Sequence, residues 1–119
     1  MAEDILAWKR RRCIFDVTLN DADGEPIVLA ANDIVRVKIG RGGANPKLDL
    51  ADNAATANGS TVSHANPARV TITAADLGDD IEAGTWPIEF GLDMGSNSSE
   101  TLVADVGLFI LHETSLGNI

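Results

Sequence analysis

Thr85-Trp86-Pro87-Ile88-Glu89-Phe90-Gly91-Leu92-Asp93-Met94 is the stretch that decides the fold. Its even positions are all apolar: Trp86, Ile88, Phe90, Leu92 and Met94. Its odd positions after Thr85 carry Pro87, Glu89, Gly91 and Asp93. A period of two held over the whole stretch predicts a strand with one buried and one wet face. Trp86 and Phe90 bring more apolar area to it than any neighbour. It is expected to be the central strand, with the rest of the chain covering it.

Working outward toward the C-terminus, residues 95–99 form a polar turn. Beyond it Leu102, Ala104, Val106, Leu108 and Ile110 alternate as the inward face of a last strand. That assignment leaves Val103, Phe109 and Leu111 on its outer face. Solvent does not select apolar residues there, so a loop or another chain is expected to cover them. If so, Phe109→Asp should leave the monomer folded and abolish assembly, whereas unfolding would place Phe109 in the core.

Toward the N-terminus, Val35, Val37 and Ile39 alternate with Arg36 and Lys38, and Val70 and Ile72 point inward from a strand over 69–73. Cys13, Phe15, Val17 and Leu19 alternate in a first strand. Asp21-Ala22-Asp23-Gly24 then turns the chain, and residues 26–29 make a short second strand. Residues 47–50 and 61–64 are further short strands. Asn66-Pro67 signals a turn, and residues 73–77 make one helical turn capped by Thr73 and ended by Gly78. Strands recurring every 8 to 12 residues or so, with turn signals between them and no long helix, argue for an antiparallel β-sandwich.

Residues 1–12 stand apart as an arm, in which Ile5, Leu6 and Trp8 lead into Lys9-Arg10-Arg11-Arg12. This run reads either as a partner-contacting arm or as a loosely held terminus, with nucleic-acid binding the weaker third reading. The formal charge of the 119-residue chain is −9. All nine Lys and Arg lie at or before Arg69, and nine acidic residues follow it: Asp76, Asp79, Asp80, Glu82, Glu89, Asp93, Glu100, Asp105 and Glu113. Such a surface repels nucleic acid and anionic lipid and favours either solubility or a basic partner. A single cysteine, Cys13, leaves the fold resting on packing and suits a reducing compartment. No apolar run approaches the roughly 18 residues of a membrane span, and no secretory leader is apparent.

Residue patterns that carry chemistry are sparse. His64 and His112 lie near no nucleophile motif, and no Cys/His set has metal spacing. Asp21-Ala22-Asp23-Gly24 resembles the opening of a calcium loop, but the twelfth position is Asn32 rather than a bidentate Glu. Gly40-Arg41-Gly42-Gly43 lacks the Lys-Ser/Thr of a phosphate loop. Asn58-Gly59-Ser60 and Asn97-Ser98-Ser99 match the glycosylation triplet and read as loops. No enzyme activity and no cofactor are expected.

Several pieces in order resemble the small immunoglobulin-like domain at the N-terminus of phage baseplate upper proteins and tail-fibre adaptors. They are Phe15-Asp16-Val17-Thr18-Leu19-Asn20-Asp21-Ala22-Asp23-Gly24-Glu25-Pro26-Ile27, Val35-Arg36-Val37-Lys38-Ile39, Arg69-Val70-Thr71-Ile72-Thr73-Ala74-Ala75-Asp76-Leu77 and Ala83-Gly84-Thr85-Trp86-Pro87-Ile88-Glu89-Phe90. Trp86 stands where that family usually has Tyr. The resemblance spans residues 13–112 and implies an immunoglobulin-like sandwich of about seven to eight strands, with residues 113–119 as a tail. Family members usually continue into a fibre or receptor-binding region, and this sequence ends at Ile119. The resemblance therefore implies a structural protein of a tailed phage or prophage virion, made in the host cytoplasm. A tail or baseplate adaptor or joining protein is the first expectation; a capsid decoration protein, or a carbohydrate-binding or adhesin module, is the alternative. Its partners would be other virion proteins and copies of itself, with no nucleic acid, membrane or small-molecule substrate. The residues expected at the interface are Trp8, Lys9, Arg10, Arg11, Arg12, Val103, Phe109 and Leu111.

Overall fold

The computed structural model describes residues 3–40, 47–78, 81–94, 99–104 and 106–113, with residues 99 and 100 described by backbone alone. Most of the predicted turn at 95–99, most of the glycine-rich loop at 40–46 and nearly all of the tail fall outside them. The described chain is all-β: β1 (Glu3–Trp8), β2 (Cys13–Val17), β3 (Leu19–Asn20), β4 (Ile34–Ile39), β5 (Leu48–Ala51), β6 (Thr61–Val62), β7 (Ala68–Ile72), β8 (Gly84–Trp86), β9 (Ile88–Asp93), β10 (Ser99–Ala104) and β11 (Val106–His112). They make a five-stranded sheet in the order β3-β10-β9-β4-β5 and two three-stranded sheets, β2-β7-β6 and β1-β11-β8. All three contribute to one hydrophobic core.

The deciding stretch becomes the middle of the large sheet. Phe90 of β9 lies opposite Val37 on one side and Leu102 on the other, and Val37 in turn lies opposite Leu50. Residues in register share a face, so this row crosses four strands on the buried side. Leu92 and Val35 repeat the pairing one step along. On the wet face Arg36 donates to Asp93 (3.2 Å) and to both carboxylate oxygens of Asp49 (3.2 and 3.1 Å). Exposed pairs of this kind contribute about 0–1 kcal/mol each, so register is set by the apolar row rather than by the charges.

Three expected long strands each divide between two sheets, which is why eleven strands appear where about seven or eight were expected. Residues 13–20 change sheet at Thr18, 85–94 at Pro87 and 102–111 between Ala104 and Val106. Pro87 has no N–H to donate, so a ladder cannot run through it. At Thr18 and Pro87 the alternation carries across. At the third crossing it carries as far as Val106, which packs on the core as Ala104 does, and then slips between Val106 and Phe109, where three residues of β11 span two of β1. Leu102 faces the core in β10, whereas in β11 Phe109 (0 % exposed) and Leu111 face it and Leu108 is exposed. A shift of one residue turns every following side chain to the other face. The outward placement of Phe109 and Leu111 is thus corrected: both are core.

Two further expectations change. The expected arm is not free over its described residues 3–12, because β1 pairs in parallel with β11, placing Ile5 beside Phe109 and Ala7 beside Leu111. The sandwich is consequently not antiparallel throughout. Residues 26–29 form no strand: only an isolated bridge joins Asn20 and Pro26. Pro26 lacks a donor, and the Ile27 carbonyl accepts instead from the Asn66 side chain (3.0 Å). That carboxamide also donates to the Leu19 carbonyl (2.8 Å) and accepts from the Leu19 amide (2.9 Å). The turn at Asp21 forms as expected, its carboxylate accepting from the amides of Asp23 and Glu25 while Gly24 takes φ +84°.

These burials separate two neighbours on β11. Phe109→Ala is expected to cost about 3–5 kcal/mol and to lower the urea midpoint sharply, while Leu108→Ala stays within about 0.5 kcal/mol of the parent. Equal effects in the two unfolding curves would contradict the inward placement of Phe109.

Candidate protein-protein interface

The outer face of the β1-β11 pair is apolar. Register places Leu6 beside Ile110 and Trp8 beside His112. Leu6 is 61 % exposed, Trp8 36 % and Leu108 43 %. The indole of Trp8 stacks on the His112 ring with centroids 4.4 Å apart and planes 27° from parallel. Contiguous apolar side chains on a wet sheet face mark a contact surface more often than a scattered residue does.

Two features fix this face. The ladder bulges between Glu3 and Ile5, and the Asp4 carboxylate there accepts from the Leu108 amide (2.9 Å). A Cβ at Gly107 would sit 2.5 Å from that carboxylate oxygen, so a side chain there would push the Asp4 carboxylate off the Leu108 amide. At the other end the chain leaves β1 through a tight turn, in which the Arg11 amide donates to the Trp8 carbonyl (3.2 Å) and the Arg10 amide to Leu77 (2.9 Å). Arg10 occupies it with φ +64°. That left-handed conformation costs a residue bearing a Cβ about 1–2 kcal/mol, and glycine or asparagine takes it far more readily.

Of the residues expected at an interface, Trp8, Arg10, Arg11 and Arg12 lie together here and are exposed. Arg10 reaches Glu113 at 3.7 Å, a surface pair. Lys9 adjoins them but is 9 % exposed, and its amide donates to the His112 carbonyl (2.9 Å). Val103 is exposed on the outer face of the five-stranded sheet beside Asn20, away from this group. Phe109 and Leu111 lie beneath the face rather than on it. Leu6, Leu108 and Ile110 take their place. The signal for Leu108 and Ile110 was the run Leu108-Phe109-Ile110-Leu111, apolar on both faces, whose orientation alternation alone does not choose.

Elsewhere polar groups serve the fold. Asp76 accepts from Ser60, from Thr56 (2.6 Å) and from Asn58 (3.0 Å). Burial works against its charge, but those three bonds outweigh it and hold its pKa below the usual carboxylate range. A groove of about 230 Å³ lies where β9 and β10 part from β11, with Pro87, Phe90, Leu102 and Val106 among its lining. Among the described residues no group of three or more His, Cys, Asp and Glu is placed to hold a metal ion. No helix among them is long and apolar enough to cross a membrane. No family model, curated protein or solved structure matches this chain.

His64 is the one histidine gripped by oxygen on both sides among the described residues. Its Nδ1 lies 2.5 Å from the Asp52 carboxylate and its Nε2 lies 3.1 Å from the Ala30 carbonyl. A carbonyl only accepts, and Asp52 already accepts from the Val35 amide (2.9 Å). Both ring nitrogens therefore donate, as an imidazolium does. The hydrogen bond to Asp52 leads in holding the His64 pKa above its ordinary value of 6.5. A pKa raised by folding stabilises below the unfolded value, and that contribution disappears as pH rises through the folded value. Thermal melts are expected to show His64→Gln less stable than the parent near about pH 6, with the difference shrinking toward about pH 9. A difference that does not vary with pH would contradict the charged pairing.

Proposed function

We propose that this chain is a non-enzymatic structural protein of a tailed-phage or prophage virion, a tail or baseplate adaptor or joining protein, acting by protein-protein assembly. One observation carries the assembly role: Leu6, Trp8 and Leu108 form an exposed apolar strip that ends in the basic turn Arg10-Arg11-Arg12. A cationic turn at the rim of an apolar strip, on a chain of net charge −9, suits an interface with an acidic rim opposite it. The virion setting is supported by the resemblance of residues 13–112 to the immunoglobulin-like domain of baseplate and tail-fibre adaptor proteins. A carbohydrate platform is the poorer reading of the same face, because one side of the Trp8 indole is already taken by His112.

Antibody labelling of particles induced from the strain that encodes the chain tests the setting: decorated particles are expected, and bare ones would contradict it. The surface is tested in the same particles. Leu6→Asp combined with Leu108→Asp should fold with little loss of stability and drop out of the virion, whereas Val103→Asp should be incorporated like the parent. Normal incorporation of the double variant would remove this face from assembly.

A further inference from the structure

We propose that β1 is exchangeable between two copies of this chain, each laying its Glu3–Trp8 strand on β11 of the other. This rests on the assembly reading above and names a second copy as the partner. Three observations lead to it. Among the described residues β1 has β11 as its sole ladder partner, and its buried contribution is Ala7, with Ile5 partly buried beside it. Its ladder can therefore be supplied by β11 of another copy, and its core contacts by that copy's core. The link to β2 is the short turn through Lys9-Arg10-Arg11-Arg12, and in the closed form its Arg10 takes φ +64°. A short, strained hinge favours exchange, because opening it relieves the strain while every strand contact is remade between copies. Four consecutive positive charges also repel one another less along an extended chain than around a tight turn.

The choice of a second copy, rather than an unrelated strand, follows from the fit along β11. The groove above Gly107 accepts the Asp4 carboxylate, which bonds the Leu108 amide. Ile5 and Ala7 then face inward beside Phe109 and Leu111, and Trp8 meets His112. A strand that satisfies β11 must place a short carboxylate, a large apolar group and a small apolar group at these positions. This chain carries that sequence itself.

The test uses the full chain with Cys13→Ser, to which Leu6→Cys and Ile110→Cys are added. Those two positions are in register between β1 and β11. After oxidation, exchange predicts covalent dimers on a non-reducing gel, and a closed chain predicts an internally bridged monomer. Two hinge variants measured by light scattering keep the result independent of the cysteines. Arg10→Gly relaxes the turn and should weaken dimerisation about tenfold per hinge. Arg10→Val resists positive φ and should strengthen it. Only bridged monomer, with both hinge variants associating like the parent, would overturn the exchange. A dimer by light scattering whose disulfide is internal would also overturn it, yet would leave assembly through the outer face standing. Dimerisation that follows the hinge in the expected directions supports the exchange even where the cysteine variant fails to fold.

Discussion

The row Leu50, Val37, Phe90 and Leu102, one side chain from each of four strands, is the contact on which the remaining architecture depends. All four are buried. Removing such side chains from water contributes roughly 1.5–3 kcal/mol each, and sliding any strand by one residue would exchange them for Asp49, Arg36, Glu89 or Thr101 on the wet side. The row thus fixes register across the sheet. With register fixed, the ends of β9 and β10 are set, and so are the points at which the chain must leave the large sheet for β8 and β11.

Those crossings explain how far the fold could be read from sequence. Alternation identified β4, β5 and β7, each within one sheet, and β9, where the alternation carries across Pro87, and it placed Val35, Val37, Ile39, Val70, Ile72, Phe90 and Leu92 inward. It ran β10 and β11 together, because Leu102 through Leu111 is largely apolar on both faces and contains no proline, its lone Gly107 being too weak a break. One extra residue of β11 between Val106 and Phe109, where the ladder with β1 bulges, then reversed the assignment of Phe109 and Leu111. The pairing of β1 was hidden for a different reason. Ile5 and Ala7 alternate with Asp4 and Leu6, a pattern too short and too mixed to announce a strand, and parallel pairing across the whole length of the chain leaves no local signal. Asn66 was legible as a turn residue but not as the clamp on Leu19 and Ile27, since a side chain bonding to distant backbone has no sequence period.

The candidate surface was half legible for the same reasons. The basic run and Trp8 were visible directly, as charge and aromatic content are properties of composition. Their apolar companions depended on which way β11 faces. The structure joins the two, because the turn that carries Arg10, Arg11 and Arg12 is the same turn that releases β1 from β11. Fold and surface therefore share one feature: a residue held at positive φ where glycine would be less strained, at the point where the chain is most basic.

Hydroxyl-radical footprinting of side chains, on the isolated chain and on the chain in its assembled form, tests the central claim most directly. Assembly through the outer face of β1 and β11 predicts that oxidation of Trp8, Leu6 and Leu108 falls on assembly while that of Val103 is unchanged. Protection of Val103, with Trp8 as reactive in the assembly as in the free chain, would place the interface on the five-stranded sheet and contradict the account.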